Sequence, residues 1–383
     1  MPPHPTFLTG LYERIQFRCL SSLQPGIFLA VGLLSITGAA APAPSDSFPP
    51  DSVRIVGVGD IMMGSDWPKP YLDERMRPGG NPAETIGVDL LELLRSGDVT
   101  FGNFEGTLHA SDEGAKTCSN PAVCYTFRSP LWHAEYLRAA GFTMLSNANN
   151  HARDFGEKGR AATYRHLTEA GFAVSSGDSD LTRFGLQRLK DGTRVVLVAF
   201  GHNPGLMRVQ QLPRVTELVR AAGARADIVV VSCHIGAEGS SFERLTRAPE
   251  KFLEEDRGDP MAFARRAVDA GADVVLCHGP HVPRAIEVYK GRFIAYSLGN
   301  FWTFGRFNLQ GINGLVPVVD LVVARDGTLR RARIVSAAQT APGGPRLDFS
   351  GAARELINRQ SVRDIPEAGI TIGVDGEVRW PEE

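Results

Sequence analysis

The sequence predicts an α/β fold in which short apolar strands alternate with helices of about 10–15 residues, the pattern of βαβ units. Two observations carry this. Strand-like runs occupy 53–60, 98–105, 195–200, 227–233 and 273–277, with helical segments between them. Polar clusters then follow the apolar runs. Asn149-Asn150-His151 with Asp154 follows 142–145, His234 with Glu238 follows 228–233, and His278 with His281 follows 274–277. Strand exits carrying imidazole, carboxylate and carboxamide groups are where an open α/β sheet binds ligands.

Each element has a local cause. The run 53–60 is a strand ending in a tight Gly59-Asp60 turn, and 89–94 reads as a helix. Residues 98–105 form the next strand and loop, and the helix 132–140 closes at Gly141. A strand then leads to Asn149, and the helix 159–170 closes at Gly171. After the strand 195–200 come a helix at 216–222 and a strand at 227–233. The helix 260–270 has Pro260 in its first turn and Gly271 at its end, matching the usual asymmetry of helix termini. Strands follow at 273–277, 293–297 and 316–323, and these late strands suggest a second, partly antiparallel sheet. The long charged segment 239–259 reads as a surface excursion or a lid. A closing amphipathic helix is expected at 352–358.

The chain has 383 residues, 43% hydrophobic and 22% charged, ordinary for a globular protein with a substantial core. A formal net charge of -2 gives no electrostatic case for nucleic acid as a partner. Residues 1–41 read as an export signal or an N-terminal anchor. Arg14 and Arg18 precede the apolar run 27–34, and small residues follow at 38–41. A span needs roughly 20 apolar residues, so length favours cleavage over anchoring. Residues 42–52, rich in Pro and Ser, read as a linker, 53–340 as the folded domain, and 341–383 as an extension with a short helix. Export permits disulfides, and Cys118 and Cys124, bracketing a short Pro-containing loop, are the natural pair. Cys233 and Cys277 read as small core residues or near neighbours on adjacent parallel strands.

The clusters suggest metal chemistry. Asp60 is exposed at a strand end, and Asn103 and Glu105, two apart in an extended segment, point the same way. Carboxamide oxygens suit hard ions, and imidazole serves as ligand or proton donor. Asp154 is placed to orient His151. His234, His278 and His281 are three of nine histidines, all at strand exits. His109, His133, His166 and His202 are set aside as lacking that placement.

The ordered set Gly59-Asp60-Ile61-Met62-Met63-Gly64, Gly102-Asn103-Phe104-Glu105-Gly106, Asn149-Asn150-His151 with Asp154, His234-Ile235-Gly236-Ala237-Glu238, His278-Gly279-Pro280-His281 and Tyr296-Ser297-Leu298-Gly299-Asn300-Phe301 resembles the CapA family of bacterial capsule and poly-γ-glutamate synthesis proteins. That family is similar to the calcineurin-like metallophosphoesterases. The resemblance implies a four-layer α/β/β/α sandwich. It implies one or two divalent ions (manganese, iron, zinc or magnesium) held by Asp60, Glu105, Asn150, His234, His278 and His281. His151, with Asp154 behind it, would protonate the leaving group, and Asn103, Arg128, Asn149, Glu238 and Asn300 would meet the substrate. Met62 stands where the superfamily carries histidine, removing one nitrogen ligand. The expected partners are an anionic polymer or a phosphorylated or γ-glutamyl substrate, and a membrane-bound capsule synthesis complex. Two readings follow: an exported metal-dependent hydrolase of envelope polymer metabolism, or a non-catalytic accessory subunit of a synthesis and export complex.

Overall fold

In the computed structural model the described residues are 49, 51–117 and 124–381. The expected export segment, most of the linker and Cys118 lie outside them. Cys124 is disulfide-bonded. The chain from Phe48 onward forms one unit.

The strand Ser52–Met62 is buried along nearly its whole length. A continuous apolar run of this kind belongs to a strand covered on both faces. It sits centrally in the first sheet, whose order is Arg346–Leu347, Leu329–Ala338, Leu315–Ala324, Ser52–Met62, Val99–Phe104, Met144–Ser146, Ala173–Ser175. Asn300–Thr303 pairs in parallel along its end. The second sheet runs Ile286–Tyr289, Arg292–Ala295, Val274–His278, Ile228–His234, Arg194–Gly201, Gly185–Arg188.

Alternation along the strands sorts side chains into layers. In Ile228–His234, Ile228 and Val230 pack with Ile55, Phe101, Leu197 and Leu276 between the sheets. Val229 and Val231 face the other way, against helices α4 (Leu212–Gly223) and α5 (Pro260–Asp269). On the far side, α1 (Val88–Ser96) and α2 (His133–Ala140) bury Leu90, Leu94 and Leu137 against Val56 and Val58. The result is the expected α/β/β/α sandwich. Each buried aliphatic side chain contributes about 1.5–3 kcal/mol from removal of its surface from water. The Asp259 side chain caps α5 by accepting from the Ala262 amide at 2.9 Å.

Several expectations are redrawn. The helix expected at 159–170 runs Gly156–Glu169, and the one expected at 216–222 starts four residues earlier, at Leu212, with Pro213 in its first turn. The helix expected at 352–358 continues to Asp364. Its Ile357 joins the inter-sheet core. The segment 239–259 carries a short antiparallel hairpin, Glu250–Phe252 with Glu255–Gly258. Buried Arg284 grips it, contacting Glu250 through both terminal nitrogens at 3.0 Å and donating to the Phe242 carbonyl at 2.9 Å. That anchorage makes it a fixed wall rather than a free lid. No helix among the described residues is long and apolar enough to cross a membrane.

Candidate metal centre

Strand register gathers the polar residues at one edge. Asp60 lies beside Asn103 and Asn300, and His234 lies between Gly201 and His278. Asp60 is fixed by a close backbone crossing: a Cβ at Gly59 would stand 2.0 Å from the Gly299 carbonyl oxygen, so only glycine fits. The Asp60 amide donates to that same oxygen at 2.9 Å. His281 adopts a left-handed backbone with φ 57, a region costly for most side chains and sampled somewhat more readily by histidine.

Asp60, Glu105 and His281 each offer one ligand atom, all within 4.8 Å of one another. His281 Nδ1 is 2.9 Å from Asp60 Oδ2, and its Nε2 is 3.7 Å from Glu105 Oε1. His278 Nδ1 is 3.6 Å from the other Asp60 oxygen. The His234 ring lies 6.1 Å from that of His281. These contacts join the two sheets.

Burial shapes the charges. It raises the Glu105 carboxyl well above the usual carboxylate range. It would lower His281, but Glu105 and the bond to Asp60 outweigh it and hold that imidazole up at about 10. Burial, opposed by Asp60, pushes His278 down to about 4. His234 falls well below its ordinary value through burial and the neighbouring His202 and His281. His234 and His278 are therefore neutral, with lone pairs free for a cation.

The donor set fits a divalent ion. Both Glu105 oxygens, Asn150 Oδ1 and both ring nitrogens of His234 and His278 are buried without a hydrogen-bond partner. Each such atom costs about 1–3 kcal/mol if nothing satisfies it. Mixed oxygen and neutral nitrogen donors suit a first-row divalent metal or magnesium. Met62 adds no ligand: its sulfur accepts from the Gly64 amide at 3.2 Å.

His151 stands at the same cavity, of about 410 Å³, with Glu105, Asn150, Glu238, His281 and Asn300. Its Nδ1 is 2.8 Å from Asp154 Oδ2, and the Phe127 ring packs on it at 4.1 Å. Asp154 is held by Lys116 at 2.5 Å and by the Phe127 amide at 2.7 Å.

Three residues expected at the substrate are turned into the protein instead. Asn103 donates to Asp60 at 2.7 Å, and Asn149 donates to Asn103 at 3.2 Å and to the Phe104 carbonyl at 2.8 Å. Both brace the ligands and do not line the cavity. Arg128 is bonded to Asp66 at 2.6 Å and to Asp112, so its charge is already neutralised away from the cavity. Glu238 lines the cavity while accepting from Arg257 at 2.8 Å. Asn300 also lines it, with Oδ1 buried and unpartnered.

Two residues were missed. His202, set aside above, directly follows the strand Arg194–Gly201. Its ring stacks on His234 at 5.9 Å, and its Nδ1 is 3.2 Å from the His234 carbonyl oxygen. Its strand-exit position carried the same signal as the other three. Arg306 lines the cavity. Nothing in its surrounding sequence distinguishes it.

Residues 54–304 match the family described as bacterial capsule synthesis protein PGA_cap. The chain is 28% identical over 298 residues to the PGA biosynthesis protein CapA of Bacillus subtilis, covering 72% of this chain and 70% of that protein. It is 28% identical over 268 residues to the capsule biosynthesis protein CapA of Bacillus anthracis, covering 66% and 60%. A Staphylococcus aureus structure described as a 5′-nucleotidase aligns at 16% identity and a TM-score of 0.42, covering 81% of this chain and 58% of that one. The family match spans well over half the sequence and includes each ligand-type residue named above, and on it the chain belongs to the PGA_cap family of bacterial capsule synthesis proteins.

Proposed function

We propose that the protein is an exported, metal-dependent hydrolase acting on an anionic envelope polymer or on its phosphorylated or γ-glutamyl precursors. One observation carries this: buried, unpartnered ligand atoms converge at a cavity that also holds an oriented imidazole, His151. A binding pocket alone has no use for a positioned proton donor.

One or two divalent ions held by Asp60, Glu105, Asn150, His234, His278 and His281 would polarise the substrate and lower the pKa of a bound water toward 7. The chain's own residues do the rest. Asp154 fixes Nδ1 of His151, leaving Nε2 to deliver a proton to the leaving group. Phe127 limits rotation of that ring. Glu238, neutralised by Arg257, and Asn300 orient the substrate. The apolar run 27–34 supports export, and the names of the Bacillus relatives, a PGA and a capsule biosynthesis protein, support a role in polymer metabolism.

Met62 favours a second reading, an accessory subunit that keeps the site for binding, because one nitrogen ligand is gone. The test is direct. The chain from Ser45 onward is purified, its metal content measured, and phosphomonoester, phosphodiester and γ-glutamyl substrates offered. The hydrolase reading expects stoichiometric metal and turnover that His151→Ala lowers by about 10²–10⁴-fold with metal retained. Metal without turnover leaves the accessory reading standing, and absence of metal removes both metal-based readings.

A further inference from the structure

An aromatic wall of the cavity borders the ligand cluster, with Phe307 5.7 Å from the His281 ring. Tyr125 and Phe127 stack at 6.2 Å, and Phe127 and Phe307 at 5.7 Å, giving a run of three rings. Beside them the Arg306 guanidinium lies over Tyr125 at 5.8 Å and Tyr71 at 5.5 Å. Arg306 is exposed, and it is the one arginine or lysine lining the cavity among the described residues. The arginines around it are committed: Arg128 to Asp66 and Asp112, Arg257 to Glu238 and Glu255, Arg284 to Glu250. Arg306 makes no ion pair with any described carboxylate.

A planar guanidinium held by rings, facing a cavity and lacking a counter-ion, is preorganised to take an oxyanion through two parallel N–H groups. Stacking on two rings restricts the side chain beforehand, so less rotamer freedom is lost on binding. A single guanidinium, with no second arginine or lysine lining the cavity among the described residues, matches a monovalent carboxylate better than a phosphate dianion. The aromatic run matches methylenes or flat amides next to that carboxylate.

We propose that Arg306 is a specificity-determining residue of this cleft, binding a carboxylate of the substrate away from the metal cluster while the stem bearing that carboxylate lies along Tyr125, Phe127 and Phe307. The proposal deepens the reading of this cavity as the substrate cleft and rests on it.

The experiment is calorimetric titration of the full chain with a γ-linked glutamate oligomer, with its counterpart in which every α-carboxylate is amidated, and with a glycerol phosphate oligomer of similar length. Wild type should bind the carboxylate form at least about tenfold more tightly than the amide form. Arg306→Gln should erase that preference, and Arg306→Lys should keep part of it, with melting temperature unchanged in both. A preference that survives Arg306→Gln, or no wild-type binding of the carboxylate form, overturns the proposal. So does an Arg306→Gln effect confined to the phosphate oligomer. Assaying turnover of the metal-loaded protein beside the titration separates the two readings: absent turnover with an intact, Arg306-dependent preference rejects hydrolysis and keeps the anion site, whereas turnover with a preference that Arg306→Gln leaves in place rejects the anion site alone.

Discussion

The loop 235–238 has a buried polar cluster on either side, and the two are built on opposite terms. On one side, Arg284 and Glu250 are both buried and fully bonded. Arg284 meets the Glu250 carboxylate twice at 3.0 Å and donates to the Phe242 and Ala237 carbonyls, while Glu250 also accepts from the Ala237 amide at 2.8 Å. On the other side, the Glu105 oxygens and the His234 and His278 nitrogens have no hydrogen-bond partner. Both clusters are charged or polar, and both are out of water. The difference is satisfaction: the first is closed and holds the hairpin Glu250–Phe252/Glu255–Gly258 in place, whereas the second leaves its ligand-type atoms open, as the proposed cation site requires. A perturbed pKa does not by itself mark a ligand site. Asp273, at the opposite end of the strand Val274–His278, is pushed up to about 6 by burial, against the Val229 amide bond and Arg292, and no cavity of the site reaches it.

The largest expected effect breaks the closed cluster. Arg284→Met leaves Glu250 buried and uncompensated, and should lower unfolding free energy by about 3–5 kcal/mol. Adding Glu250→Leu should recover part of this, as read by denaturant titration. If Arg284→Met is neutral, the brace is not what holds the hairpin. The open cluster should respond in the reverse sense. His278→Leu removes two unpartnered nitrogens at near-constant volume, so the metal-free protein should change by less than about 1.5 kcal/mol. The variant should lose the stabilisation that divalent metal gives wild type, roughly 2.7 kcal/mol at a hundredfold excess over Kd. Thermal shifts with and without metal measure both, and a metal-free His278→Leu that fails to fold would contradict the contrast.

A third prediction uses Asp273. Its carboxyl titrates near 3.8 unfolded and about 6 folded, so the folded state holds more protons between those values and stability falls as pH rises through that window. Asp273→Asn removes this dependence. Relative to wild type it should gain on the order of 2 kcal/mol between pH 4 and pH 7, read from melting curves across pH. A constant difference would show that Arg292 already compensates the charge.

Much of the fold was legible because its causes are local. Apolar runs of strand length, helices closed by Gly141 or opened by Pro260, and polar residues directly after strands are set by neighbours in sequence. The ligand-type residues fell within reach for the same reason, and His202 would have, since it follows a strand as the others do. Helix starts slipped where a proline or glycine lay inside the first turn, as in α4 and in the helix Gly156–Glu169.

What the sequence determined by itself was the alternation of strands and helices and the residue types delivered to the strand ends. Tertiary structure decided the contacts between distant segments. It brought His281 to Asp60, 221 residues away, across two sheets. It turned Asn103 and Asn149 inward, spent Arg128 on Asp66 and Asp112, and left Arg306 over two tyrosines with no described carboxylate paired to it. Charge and residue type are written along the chain. Whether a charge is already satisfied depends on which other segment folds against it, and that is fixed only when the two sheets pack.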